Sequence, residues 1–267
     1  MSSTQDKPAS IDSLLDIMAR LRAPQGGCPW DLQQDFRSIA PYTLEEAYEV
    51  VDAIESNDRD ALQEELGDLL FQVVFHSQLA TEAGWFGFED VVTSICEKMT
   101  RRHPHVFADA VVADAEEQTR EWDKHKQREK GESRSILDGV VTGLPALTRA
   151  DKLQRKAASA GFDWPDSRGV FAKVSEELDE VREEMQGVID RDALFDECGD
   201  LLFAVVNLVR HAGVDPESAL RHGNRKFVRR FESVEASCER SGTAMSAAGL
   251  DTLNRYWEQA KRAERGD

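Results

Sequence analysis

The 267-residue sequence predicts an all-α fold made of two tandem helical domains, and three observations carry that expectation. Proline is sparse and β-branched alternation is rare, so the periodic signal along the chain is helical. A block of acidic motifs occurs twice. Glu45-Glu46-Ala47-Tyr48-Glu49, then Glu65-Leu66-Gly67-Asp68, runs into Leu69-Leu70-Phe71-Gln72-Val73-Val74-Phe75. Its copy is Glu176-Glu177-Leu178-Asp179-Glu180, then Glu197-Cys198-Gly199-Asp200, running into Leu201-Leu202-Phe203-Ala204-Val205-Val206. The spacing is kept as well, nineteen positions from Glu46 to Glu65 and twenty from Glu177 to Glu197, which marks an internal duplication. Expected boundaries are residues 1–130 for the first domain, 131–147 for a connection and 148–267 for the second domain.

In chain order, Ile11–Arg22 is an amphipathic helix with Ile11, Leu14, Leu15, Met18 and Leu21 on one face and Ser10 as its cap. It ends at Ala23-Pro24-Gln25-Gly26-Gly27, and Cys28-Pro29-Trp30-Asp31 follows, with Trp30 read as the anchor of that loop. Thr43 is expected to start the first acidic helix, with Glu46 three residues on as in a capping box. Asn57-Asp58-Arg59-Asp60 is a turn or cap, and Ala61–Ala80 is the apolar helix bearing Glu65, Asp68 and a packed or surface His76. Phe88–Arg102 is a further helix, ending in Lys98, Arg101 and Arg102, and a charged segment 116–131 contains Trp122 and Lys124. Gly131–Leu147 mixes Gly, Ser and Pro with a short apolar run, as a connection does. The second half repeats this order, with Gly161-Phe162-Asp163-Trp164-Pro165 echoing Gly27-Cys28-Pro29-Trp30. Asp215-Pro216-Glu217 starts a helix that presents Lys226 and Arg230 four residues apart, and Leu253–Lys261 brings Trp257 near the end of the chain.

Helical geometry gives the acidic motifs their meaning. A helix that is apolar nearly all round is normally buried, so carboxylates in its first turns are poorly placed as solvated charges. At about 100° per residue, Glu197 points with Leu201, Ala204 and Leu208 toward the core, and Asp200 lies beside it one turn on. Glu177 and Glu180 flank the stripe Val174–Leu178–Val181 on the preceding helix. Four carboxylates brought together near a core repel one another and carry a desolvation cost, so a positive charge belongs among them. All-oxygen ligands suit a hard divalent cation, Mg²⁺ or Mn²⁺, rather than zinc. The corresponding first-half set is Glu46, Glu49, Glu65 and Asp68. Taken alone, those glutamates read as surface and capping residues; the repeat favours the metal reading.

Composition narrows the partners. The net charge of −18 argues against general nucleic-acid or membrane-surface binding, both partners being polyanions. A phosphorylated small molecule remains compatible where metal and local cations offset the repulsion. Cys28, Cys96, Cys198 and Cys238 are scattered without a CxxC and read as free thiols. The polar start MSSTQDKPAS lacks a signal-peptide core, and no apolar run approaches the ~20 residues of a membrane span, so a soluble cytoplasmic protein is expected.

Converging carboxylates, a downstream cation pair and bordering aromatics match metal-dependent chemistry on a nucleoside polyphosphate. Metal ions neutralise phosphate charge and lower the pKa of water, Lys and Arg hold outer phosphates, and an aromatic stacks on the base. A di-iron carboxylate bundle is disfavoured because no Glu here has a His three positions later. The Gly-rich P-loop motif is also missing. A non-catalytic metal- or nucleotide-binding regulatory module stays open at this level.

The paired EExxE and ExxD motifs resemble the MazG family of nucleoside triphosphate pyrophosphohydrolases, as do Gly27-Cys28-Pro29-Trp30-Asp31, Arg101-Arg102-His103-Pro104-His105-Val106-Phe107 and Asn224-Arg225-Lys226-Phe227. The resemblance covers almost the whole chain. It implies two tandem MazG-like domains, four-helix-bundle active units completed by homodimerisation, and Mg²⁺-dependent hydrolysis of NTPs and dNTPs to monophosphate and pyrophosphate. Carried over by motif, it puts Mg²⁺ on Glu177, Glu180, Glu197 and Asp200, with a second possible site at Glu46, Glu49, Glu65 and Asp68. Substrate contacts fall on Lys173, Glu176, Lys226, Arg230 and Trp257, Glu176 or Glu177 activates the water, and the C-terminal domain is the main catalytic one. One departure stands out: where family members carry Gln-Thr-His or Gln-Thr-Phe, this chain has Gln34-Asp35-Phe36, which adds a carboxylate unfavourable to triphosphate binding in the first half.

Overall fold

A computed structural model describes residues 10–108, 114 and 135–265. The polar start of the chain, the charged 116–131 segment with Trp122 and Lys124, and the beginning of the expected connection lie outside the described residues. Those described contain α-helices, one short 3₁₀ turn and no strand, and the chain divides into two compact units, Met1–Glu129 and Lys130–Asp267.

In the first unit, helix α1 (Ile11–Leu21) begins where expected, with Ser10 and Ser13 forming a reciprocal capping box. A short α2 (Pro29–Gln33) leads into α3 (Phe36–Ser56). The start of α3 differs from the sequence expectation. Asp35, not Thr43, is the cap, accepting from the backbone N–H groups of Arg37 and Ser38 at 2.8 Å each while Ser38 returns a bond to the Asp35 backbone. This capping box lies eight residues before the expected one and carries the helix through Pro41, whose missing N–H removes a single intrahelical bond near that end. Thr43 is therefore mid-helix, its hydroxyl 3.0 Å from Nε2 of His76 on α4 (Arg59–Glu82). The Asp35 carboxylate, the departure from the family pattern, is occupied by backbone donors that hold its pKa below the usual value.

Asn57, in the left-handed conformation, ends α3, and Asp58 caps α4, so the two helices fold back on each other as a hairpin. Met18, Ile39, Val74, Phe75 and Leu79 form the core against α1. Arg22 is buried at its edge, held by Glu82 at 2.6 Å and by the Asp31 carbonyl, with its guanidinium over the Phe75 ring. Trp30 is half exposed and meets Tyr42 edge-on at 6.0 Å. Helix α5 (Phe88–Arg102) has the expected limits, and α6 (Pro104–Phe107) follows it.

The second unit repeats the hairpin. Helix α7 (Ala146–Ser159) takes in the last two residues of the expected connection, and α8 (Ser167–Glu184) pairs with α9 (Arg191–His211). Helix α10 (Pro216–Ser241), capped by Asp215, packs against α7, α9 and α11 (Leu250–Arg265). Gln154 of α7 donates to the Phe203 carbonyl of α9 at 2.8 Å. The loop before α8 is tied down by Asp163, which accepts from Arg210 at 2.6 Å and His211 at 2.9 Å. Trp164 of the same loop lies on the Cα of Gly169, leaving no room there for a Cβ.

The apolar helices are not buried all round. Leu70 and Val73 on α4, and Leu202, Phe203 and Val205 on α9, are exposed in the single chain. Helix α4 packs against α3, α1 and α5, and α9 against α8, α7 and α10, and these apolar side chains stay exposed beside those contacts. Leu178 of the expected α8 stripe is exposed too; the stripe that faces inward is Val170, Val174, Glu177 and Val181.

Candidate active site

That inward stripe contains a charge. Glu177 is 4 % exposed, and of its two carboxylate oxygens one is met by Lys173 Nζ at 2.5 Å while Oε2 is buried with no hydrogen-bond partner. Lys173 lies one turn earlier on α8 and also donates to Glu176 at 2.9 Å. These two bonds, that to Glu177 foremost, push the Lys173 pKa above the ordinary ammonium value. A buried anion with an unmet lone pair is costly unless something positive completes its shell.

The hairpin delivers the rest of the set. The turn between α8 and α9 brings Glu197 and Asp200 back beside Glu177, and one carboxylate oxygen from each of the three lies within 4.8 Å of the others. Ala204, on the same face as Glu197, is buried, as the helical spacing predicts. Glu180 lies outside that close group yet feels it. Desolvation first, then the charges of Glu177 and Glu197, raise its carboxyl pKa.

The first unit builds the same device from Glu46, Glu49 and Glu65, again within 4.8 Å. The surface and capping reading of Glu46 gives way here to convergence. Asp68 is exposed and lies outside the group, but it helps to raise the Glu46 pKa, after desolvation and ahead of Glu49. Glu65 is raised by desolvation and next by Glu49. Three of the four carboxylates expected in each half therefore converge directly, and the fourth stands at the margin. An oxygen-only donor set with an orphaned, buried carboxylate oxygen fits a hard divalent cation.

The expected substrate contacts are partly committed elsewhere. Arg230 is mostly buried and donates to Glu264 at 2.7 Å, with Arg229 on the same carboxylate at 3.2 Å. The Arg230 guanidinium lies 5.8 Å from the Trp257 ring centre, and Trp257 meets Phe227 at 5.3 Å, so α10 and α11 present cation and aromatic together. Lys226 is half-buried and forms no ion pair among the described residues. Glu264 was not foreseen, because a glutamate in a charged terminal helix has no local feature that names its partner. Asp163 was seen only as part of a loop echo, and its anchoring by Arg210 and His211 spans the length of α8 and α9 in sequence.

A family model described as the MazG nucleotide pyrophosphohydrolase domain matches this chain twice, over residues 34–107 and 167–235, each match enclosing one acidic hairpin. The chain belongs to the MazG family. It is 50% identical over 257 residues to a nucleoside triphosphate pyrophosphohydrolase of Escherichia coli K12, covering 95% of this chain and 98% of that protein. It is 45% identical over 252 residues to a nucleoside triphosphate pyrophosphohydrolase/pyrophosphatase of Thermotoga maritima, covering 94% and 95% of the two chains. A Bacillus subtilis protein, YabN, described as uncharacterized, is 43% identical over 250 residues, which are 93% of this chain and 51% of YabN. The first match ends with α6 and the second within α10, so this MazG chain carries Lys226 and Arg230 inside the second match and Trp257 beyond it.

Proposed function

We propose that this MazG family member hydrolyses nucleoside triphosphates, ribo and deoxy, to the monophosphate and pyrophosphate, with Mg²⁺ as the divalent cation. The observation that carries the reading is the convergence of Glu197 and Asp200 on Glu177, whose inner oxygen is buried and unpartnered. Family membership and the two pyrophosphohydrolase relatives support the reaction. Glu177, Glu197 and Asp200 hold the cation with Glu180 at the margin, and Glu46, Glu49, Glu65 and Asp68 form the possible second site. Bound there, divalent cations neutralise phosphate charge and make water more acidic near neutral pH.

The other steps belong to the chain's own residues. Glu177 is taken up as a ligand, which leaves the exposed Glu176 beside it to accept a proton from the attacking water. Water adds across the α–β phosphoanhydride, one product keeping the nucleoside and one phosphate, the other leaving as pyrophosphate. Lys226 meets the leaving charge, Arg230 is held ready by Glu264, and Trp257 offers a ring face to the base. The functional domains are 1–130 and 148–267, and the second, with its lysine inside the cluster, is the main catalytic one.

The exposed apolar faces of α4 and α9, at repeat-related positions Leu70/Val73 and Leu202/Val205, support a homodimer that completes a four-helix unit around each hairpin. No described helix is long and apolar enough to cross a membrane, and four unpaired cysteines suit a cytoplasmic enzyme. Incubation with dNTPs, with and without Mg²⁺, followed by phosphorus NMR, tests the reaction. Monophosphate plus pyrophosphate with metal alone is the expected result. Diphosphate plus phosphate would overturn the cleavage position, and metal-dependent nucleotide binding without turnover would replace the enzyme by a sensor.

A further inference from the structure

The two acidic hairpins are copies, and one of the charged positions at which they differ lies against the carboxylates themselves. Four residues before Glu177 stands Lys173, its Nζ 2.5 Å from Glu177 and 2.9 Å from Glu176. Four residues before Glu46, the matching glutamate, stands Tyr42, whose ring meets Trp30 and which brings no charge. The neighbours that act on Glu46 and Glu65 are all carboxylates. The second cluster thus contains its own monovalent cation, whereas the neighbours that act most on the first are, among the described residues, carboxylates.

We propose that Lys173 is a resident counter-ion of the second cluster, holding Glu177 while no metal nucleotide is present and passing to the triphosphate when a divalent cation takes up Glu177. Cation binding in the second unit is thereby tied to nucleotide arrival. The inference rests on the metal reading of Glu177, Glu197 and Asp200 given above.

Glu177 cannot stand alone, because it is nearly fully buried and one of its oxygens already lacks a partner. Any divalent cation taken up through that oxygen would share one carboxylate with the ammonium, and like charges so close repel strongly. The lysine is the group able to leave. Its side chain is 36% exposed, on a flexible four-carbon stem, and its second partner Glu176 faces solvent. A triphosphate reaching the cluster brings the negative charge that the ammonium needs after departure, so the lysine exchanges one anion for another.

The test uses the full-length chain with Glu46→Gln and Glu49→Gln, so that Mn²⁺ counted by electron paramagnetic resonance reports the second cluster. Without nucleotide, Lys173→Met should bind Mn²⁺ roughly tenfold more tightly, a Coulomb effect already reduced for solvent screening. Lys173→Gln should do the same, and Lys173→Arg should stay near the parent. The same neutral variants should bind an α,β-methylene deoxynucleoside triphosphate more weakly by a similar factor. Unchanged or weaker Mn²⁺ binding in both neutral variants, with helical circular dichroism intact, overturns the counter-ion role. Mn²⁺ binding that survives Glu177→Gln in this background instead overturns the metal assignment beneath it.

Discussion

Replacing Asp163 by asparagine isolates the anchor that ties the loop before α8 to the far end of α9. Asp163 accepts from Arg210 and His211, and these bonds, that of Arg210 foremost, lower its pKa from 3.8 to about 2. Its side chain is 25% exposed, so solvent screens the interaction only in part. Because the folded value is depressed, the stabilisation is fully present above the unfolded value near 4 and is lost as pH falls through about 2. A shift of this size corresponds to roughly 2 kcal/mol at neutral pH, of which about half remains at pH 3. Urea denaturation followed by helical circular dichroism at pH 7, 5 and 3 measures it. The expected gap between Asp163→Asn and the parent is about 2 kcal/mol at pH 7 and 5, narrowing to about 1 kcal/mol at pH 3. A gap of the same size at all three pH values would refute the reasoning, because by pH 3 the unfolded chain binds a proton at Asp163 that the folded protein still excludes, which an asparagine cannot do.

Glu177→Ala or Asp200→Ala should lower dNTP turnover by at least about 100-fold while the helical spectrum is kept, since both belong to the carboxylate group proposed to hold the cation; parent-like turnover in both would remove that assignment. Gly169→Ala pushes a methyl group into the Trp164 ring and should cost about 1–3 kcal/mol in urea melts, a smaller residue at Trp164 recovering part of the loss. Arg22→Ala strips a buried guanidinium from Glu82, the Asp31 carbonyl and the Phe75 ring, and should destabilise the first unit by about 3 kcal/mol, read as an earlier transition in thermal unfolding. Sedimentation equilibrium should return twice the 29.9 kDa chain mass, and Leu202→Glu together with Val205→Glu should shift it toward the monomer.

Local patterns decided a large part of this protein. Ser10, Asp58 and Asp215 cap helices that start where their side chains can reach free N–H groups, and the limits of α5 were legible residue by residue. The duplication, the acidic spacing and the direction of Glu197 were also legible, because a helix converts sequence separation into angle. Where the prediction failed, two local signals competed: Thr43 with Glu46 imitated a capping box, while Asp35 with Ser38 formed the real one eight residues earlier. Tertiary packing alone decided the contacts between distant positions. Which three carboxylates close within 4.8 Å, that Glu264 engages Arg230, that Asp163 meets Arg210, and that Leu178 and Leu202 stay exposed all depend on how helices are set against one another. Periodicity places a side chain on a face of its own helix, but only the neighbour packed on that face determines whether it is buried, paired or left open.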